Sequence, residues 1–324
     1  MEKIHFKSYF FDFLGATFKL HNLSMTIYML LNAFLSVGLL LSAVGGFFSI
    51  DEVSAILLSL GLYLVSLVIM LSPIGEWFMR RQVGMVSLSQ CEQTPDLARL
   101  ETIFAKVLVR AKRINPNLEE GICLFIKEDD SLNAFAMGRR TIVIHTGTLA
   151  LPNDQIASIL AHEVGHISHK DTDLRLAVTV GNVFVSLAFF LTRLVISVFH
   201  FIVNIFASAM WVLQLVGMAF SLMARVMTFF ISLVERFWFF LGNLAINFAS
   251  RKQELQADEF SVNCGCGKPL SRFLTHLLLD NPPDAQKDNI LSAFMSTHPQ
   301  IRMRLMALAD LGVPIERAEL LVKP

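Results

Sequence analysis

The chain has 324 residues, 54% of them hydrophobic and 17% charged, with a formal net charge of zero and a positive mean hydropathy. It is more apolar and less charged than soluble globular domains, so an integral membrane protein is the first class to consider. Zero net charge leaves no electrostatic footprint for nucleic acid, and four cysteines (Cys91, Cys123, Cys264 and Cys266) are too few and too irregularly spaced for a disulfide framework.

Two apolar runs, 24–48 and 53–71, are each long enough to cross a hydrocarbon core, which takes about 20 helical residues, and they read as a transmembrane hairpin. Their link carries Asp51 and Glu52 but no Lys or Arg. Lys3, Lys7 and Lys19 precede the first run, and Arg80 and Arg81 follow the second. The positive-inside rule places both flanks in the cytoplasm.

From Pro95 to Lys170 the composition becomes that of a soluble domain. Thr94 is an N-cap candidate with proline at the first helical position, and Leu97, Leu100, Phe104, Val107 and Ala111 recur at helical spacing. The short β-branched runs 122–126 and 141–145 are strand candidates, and Pro152 and Asn153 open a further helix.

That helix carries "HEVGH". His162 and His166 fall on one face one turn apart, where both imidazoles can reach a single ion, and Glu163 is turned about 100° away toward a bound water. Zinc held by three protein groups keeps a fourth position for water and acidifies it, with Glu163 moving the proton; the chemistry is peptide-bond hydrolysis. His169 shares the face but suits a solvent or capping role at the helix end. Thr172 stands where a metzincin would place its third histidine, which excludes that subclass.

An apolar stretch from 176 to 249 follows, interrupted by Arg193, His200, Arg225, Glu235 and Arg236. Spans near 176–198 and 216–248 are expected, with 199–215 as an apolar turn, an interfacial segment or extensions of both helices. Glu235 and Arg236 suit pairing with other helices or snorkelling. Beyond it, Glu254 and Asp258 again share one helical face, as a metal-binding carboxylate and a carboxylate orienting a ligand histidine would. For Glu254 to meet the two histidines the chain must cross the membrane an even number of times. Arg251 and Lys252 after the stretch, with no Lys or Arg between 194 and 224, agree with two crossings.

Taken together, "NAFAMG", "AHEVGHISHKD", "SRKQELQAD" and "STHPQIRMRL" resemble the M48 family of membrane zinc metallopeptidases, closest to the HtpX heat-shock protease group, over nearly the whole length. The resemblance implies one zinc per chain on His162, His166 and Glu254, Glu163 as catalytic acid/base, and Asp258 behind the ligands. Asn133 and Ala134 match an edge strand that can take an extended substrate by strand addition. His298 and Arg304 match the family's C-terminal signature; His298 is either an oxyanion donor or a His-Pro turn opening the last helix. Two departures are the apolar region between the last two spans and the "CGCG" after "ADEFSVN".

The expected fold is α+β: a mostly helical integral membrane protein with about four transmembrane helices and a cytoplasmic zincin-like domain holding a small β-sheet. Its parts are 1–78 (N-terminal segment and hairpin), 79–175 (first catalytic part), 176–249 (second transmembrane pair) and 250–324 (second catalytic part). The expected function is a zinc endopeptidase of the bacterial inner membrane that degrades misfolded or damaged membrane proteins, with protein substrates and the lipid bilayer as partners and the oligomeric state left open. The alternatives are a prenyl-protein protease of the same family and a non-cleaving scaffold or chaperone. A transporter is disfavoured because the metal motif lies outside the spans.

Overall fold

The computed structural model describes residues 15, 17–47, 51–92, 94–209, 211–280 and 301–317. The chain is α+β, mostly helical, with one four-stranded mixed sheet, and it divides into two compact units.

The first unit comprises 1–26, 68–176 and 245–324. It holds α3 (Pro73–Val83), β1 (Val86–Ser87), α4 (Pro95–Ile114), β2 (Cys123–Lys127), β3 (Ala134–Met137), β4 (Thr141–His145), α5 (Asn153–His169), α8 (Gly267–Asp280) and α9 (Ile301–Asp310). Thr94 caps α4 as its sequence predicts, its hydroxyl accepting from the Leu97 N–H at 3.3 Å with Pro95 at the first helical position. The apolar face of α4 (Leu100, Phe104, Val107, Ala111) then packs with Ile142, Ile144, Ile156, Leu160 and Val164 into one core.

The sheet runs in the order β1-β2-β4-β3. β2 and β4 are parallel, and β1 and β3 join antiparallel at the two edges. Central β4 is buried along its whole length, whereas edge strand β3 is mostly half-exposed. The structure adds α3 and β1 to the elements expected from sequence. Glu76 on α3 clamps the β3–β4 turn by accepting from the Arg139 N–H at 2.6 Å and the Thr141 hydroxyl at 3.1 Å. No periodicity marks that contact, because its partners lie more than 60 residues away.

The second unit comprises 27–67 and 177–244. It contains most of α1 (Leu23–Phe47) and α2 (Glu52–Met70), the part of α6 (Asp171–Ala209) from Ala177 onward, and α7 (Trp211–Ser261) up to Leu244. Four helices among the described residues are long and apolar enough to cross a membrane, over Leu20–Leu39, Glu52–Met70, Asp171–Ser208 and Gln214–Leu279. The protein is a membrane protein whose spans present Leu187, Phe190, Val195, Phe230 and Phe237 outward.

Helix-to-helix contacts in this unit use polar groups where lipid cannot supply partners. Asn32 accepts from the Trp238 indole N–H at 2.7 Å and donates to Asn182 at 2.9 Å, and the Tyr28 hydroxyl donates to the same Asn182 oxygen at 2.9 Å. Arg193 pairs with Glu235, the helix-pairing role expected for that glutamate. Between the two long helices the chain extends both: α6 is helical to Ala209 and α7 from Trp211.

Candidate metal centre

Helix α5 is buried along nearly its whole length and stops at Lys170, whose left-handed backbone (φ 62°) turns the chain directly into α6. Two consequences follow for the site. His162, Glu163 and His166 are held in the core, and Asp171 is swung back beside His166.

The carboxylate comes from α7, and a glycine allows it to come near enough. A Cβ at Gly165 would lie 3.0 Å from the Ala257 Cα and 3.1 Å from the Phe260 Cβ, so the fourth residue of "HEVGH" lets the two helix backbones approach. The Glu254 carboxylate then reaches both rings, at 3.3 Å from His162 Nε2 and 3.4 Å from His166 Nε2. One ligand atom from each of His162, His166 and Glu254 lies within 4.8 Å of the others, and all three residues are buried.

Each ring's other nitrogen is engaged by a carboxylate. His162 Nδ1 donates to Asp258 at 2.8 Å and His166 Nδ1 to Asp171 at 3.2 Å, which turns both Nε2 atoms inward as metal ligation needs. Arg304 on α9 closes the back, forking onto Asp258 at 2.6 and 2.8 Å with a third nitrogen 3.3 Å from Glu254. Among the described residues, Arg304 pairs with Asp258 and Glu254, and the buried carboxylates of Glu163 and Asp171 add negative charge beside the histidines.

The histidines register that field. Burial pushes the His166 pKa down, but hydrogen bonds to Asp171 and Glu254 and the charges of Glu254 and Glu163 outweigh it, raising it to about 10. His162 is raised against burial and Arg304 by Asp258 and Glu254. A pocket that would draw protons onto two imidazoles offers a cation two neutral nitrogens and a carboxylate oxygen, so the residues present fit a metal ion.

The other predicted residues fall as follows. Asp258 lies behind His162, and Ala134 opens edge strand β3, which packs against α5. Asn133 just precedes it, its carbonyl accepting from the His145 N–H at 2.9 Å. His169 stays away from the cluster, at the end of α5 and edge-on to Phe260. Thr172 instead donates to the Gly138 carbonyl at 2.5 Å. His298 lies outside the described residues. Cys264 and Cys266 are buried free thiols. Sequence reasoning gave Asp171 and Arg304 no job; an aspartate five residues past a ligand histidine, across the helix end, was the available signal for the first.

A family model described as Peptidase family M48 matches residues 96–311. The chain belongs to peptidase family M48. This M48 peptidase is 25% identical over 253 residues to Protease HtpX of Shewanella baltica (strain OS185), covering 72% of this chain and 81% of that protein. It is 28% identical over 162 residues to the CAAX prenyl protease 1 homolog of Caenorhabditis elegans, covering 48% of this chain but only 32% of the nematode protein. Among solved structures it is similar to the crystal structure of S. mikatae Ste24p, with a TM-score of 0.44 and 16% identity, covering 86% of this chain and 61% of that one. It is a metalloprotease by family, and the His-His-Glu cluster is its candidate metal site.

Proposed function

We propose that the protein is a membrane-bound zinc endopeptidase that cleaves extended segments of misfolded or damaged membrane proteins. The observation that carries this reading is the convergence of His162, His166 and Glu254, with each histidine's outer nitrogen held by its own carboxylate. Two imidazoles and one carboxylate are the donor set of a catalytic zinc site with an open position. Zinc bound there would supply a Lewis acid that polarises the scissile carbonyl and acidifies a water.

The chain's own residues do the rest. Glu163, buried beside the ligands, accepts the proton of the attacking water and returns it to the leaving amine. Asp258 and Asp171 hold the imidazoles in one tautomer, and Arg304 keeps Asp258 ionised and Glu254 in place. Edge strand β3 binds substrate. In its antiparallel pairing with β4, the Asn133 carbonyl and the backbone groups of Phe135 point to the ladder, the Asn133 N–H donates to the Thr148 hydroxyl at 3.0 Å, and the backbone groups of Ala134 and Ala136 face the open edge. A substrate strand added there is held by main-chain bonds, which suits unfolded segments of varied sequence.

The orientation we propose, in the bacterial inner membrane with the site in the cytoplasm, rests on the cationic flanks at Arg80, Arg81, Arg251 and Lys252 and on the two crossings between the ligand groups. The prenyl-protein protease alternative draws on the nematode relative, but the HtpX match runs over more of both chains. Full-length wild type and Glu163→Gln, purified in detergent, test the chemistry. We expect one zinc in each and casein cleavage lower by about 10²- to 10⁴-fold in the variant. Cleavage at the wild-type rate by Glu163→Gln removes the assignment of the base; zinc-loaded wild type that binds unfolded protein without cutting it makes the chain a scaffold.

A further inference from the structure

One feature that the metal site does not use lies in the membrane unit. Between α6 and α7 is a cavity of about 500 Å³ whose lining includes apolar Phe229 and Leu233, polar Ser221 and Thr228, and the charged Arg225 and Arg236. A second cavity of about 580 Å³ shares Ser221 and Arg225 with it and extends toward the end of the helix pair, past Asn204 and Gln214. Together they make a groove of ligand size with a mixed apolar and polar lining.

The charges in this groove do not balance. Arg193 nearby is neutralised by Glu235 and also donates to Ser232 at 3.2 Å. His200 is engaged with Ser221 at 2.8 Å and Asn204 at 2.8 Å. Arg225 and Arg236 have no carboxylate or hydrogen-bond acceptor among the described residues. A cation with no counter-charge is costly at membrane depth. Snorkelling is the usual relief, but these two lie eleven residues apart on one helix, about 16 Å along the axis and on nearly the same face. Reaching toward each other along the groove, the two long side chains can bring their guanidinium groups to one phosphate, and both line the same cavity.

We propose that this groove is a binding site for an anionic phospholipid, its phosphate held between Arg225 and Arg236 and an acyl chain against Phe229 and Leu233. Arginine forks onto phosphate oxygens, so two of them supply several directed donors to one phosphate. The apolar part of the lining and the position within membrane-spanning helices select a lipid over a soluble anion of the same charge.

Native mass spectrometry of the full-length protein, released from detergent doped with phosphatidylglycerol or phosphatidylcholine, tests the site. Wild type should retain one phosphatidylglycerol and no matched phosphatidylcholine. Arg225→Gln/Arg236→Gln should weaken that retention about 25-fold, near fivefold for each arginine. Arg225→Lys/Arg236→Lys should keep most of it. The same charge change on exposed α4, Lys106→Gln/Arg113→Gln, should leave it unchanged.

Equal retention of the two lipids by wild type, undiminished retention by the double glutamine variant, or an equal loss in the α4 control overturns the proposal. Displacement of the lipid by millimolar inorganic phosphate overturns it in favour of a soluble anion. Should the double glutamine variant fail to elute as a folded species, the lipid comparison and phosphate competition on wild type decide the matter without it.

Discussion

At the scale of single residues, the proposed metal site consists of three candidate ligands and the groups that aim them. Asp258 is the more consequential of the two orienting carboxylates, because it answers both His162 and Arg304. Asp258→Asn removes the charge that Arg304 is forked onto, and we expect it to cost about 10- to 100-fold in zinc affinity, read by competition with a chromophoric chelator. The raised imidazole pKa values carry a pH dependence whose sign is fixed. A histidine lifted to about 10 stabilises the metal-free fold fully below the ordinary histidine range, and that contribution drains away as pH rises toward 10. Zinc needs the neutral rings, so its affinity rises over the same interval. The gap in Tm between zinc-loaded and metal-free protein should therefore widen from pH 6 to pH 9; a constant gap would mean that the rings are already neutral at pH 6.

At the scale of elements, the approach of α5 to α7 decides whether Glu254 can join the histidines. Gly165→Ala tests it with two opposed effects. Alanine gains about 1 kcal/mol of helix propensity over glycine. A Cβ placed 3.0 Å from backbone at Ala257 forces the helices apart, and overpacking of that kind costs about 1–3 kcal/mol. The second effect wins, so Tm should fall and zinc affinity should fall with it, because Glu254 rides on the displaced helix. A more stable variant with full zinc affinity would show the contact to be dispensable. Strand β3 permits a complementary test. Ala136→Pro removes an N–H that faces the open edge and leaves the ladder to β4 intact, so kcat/KM on an unfolded substrate should drop about tenfold while zinc content stays at wild type.

At the scale of the whole chain, the question is on which side of the membrane the catalytic unit works. The cysteines provide a reporter without engineering. Cys123 is exposed at the start of β2, whereas Cys264 is buried and its thiol is pushed up to about 12 by desolvation and the neighbouring Cys266. A maleimide should therefore label Cys123 far faster than Cys264 at pH 7.5. A membrane-impermeant maleimide added to intact spheroplasts should leave Cys123 unlabelled until the cells are lysed. Labelling before lysis would reverse the proposed orientation.

The sequence by itself determined what depends on local periodicity and on chemistry at fixed spacing. The cap at Thr94, strand 141–145 and the hydrophobic runs were legible because a helix face, a strand alternation or a bilayer's thickness writes itself into neighbouring residues. The placing of His162 and His166 side by side on one helix was legible because four residues make about one helical turn. The junction at 199–215 was open from composition, since an apolar turn and an apolar helix look alike; the structure makes it an extension of both helices. Only tertiary structure decided what depends on residues remote in the chain. It brought the Glu254 carboxylate to within 3.4 Å of both rings, gave Asp171 and Arg304 their partners, and set Glu76 under the β3–β4 turn. The physical reason is that an ion pair or a ligand set is a condition on distance in space, and a residue's neighbours in sequence carry no record of it once the chain has left for the membrane and returned.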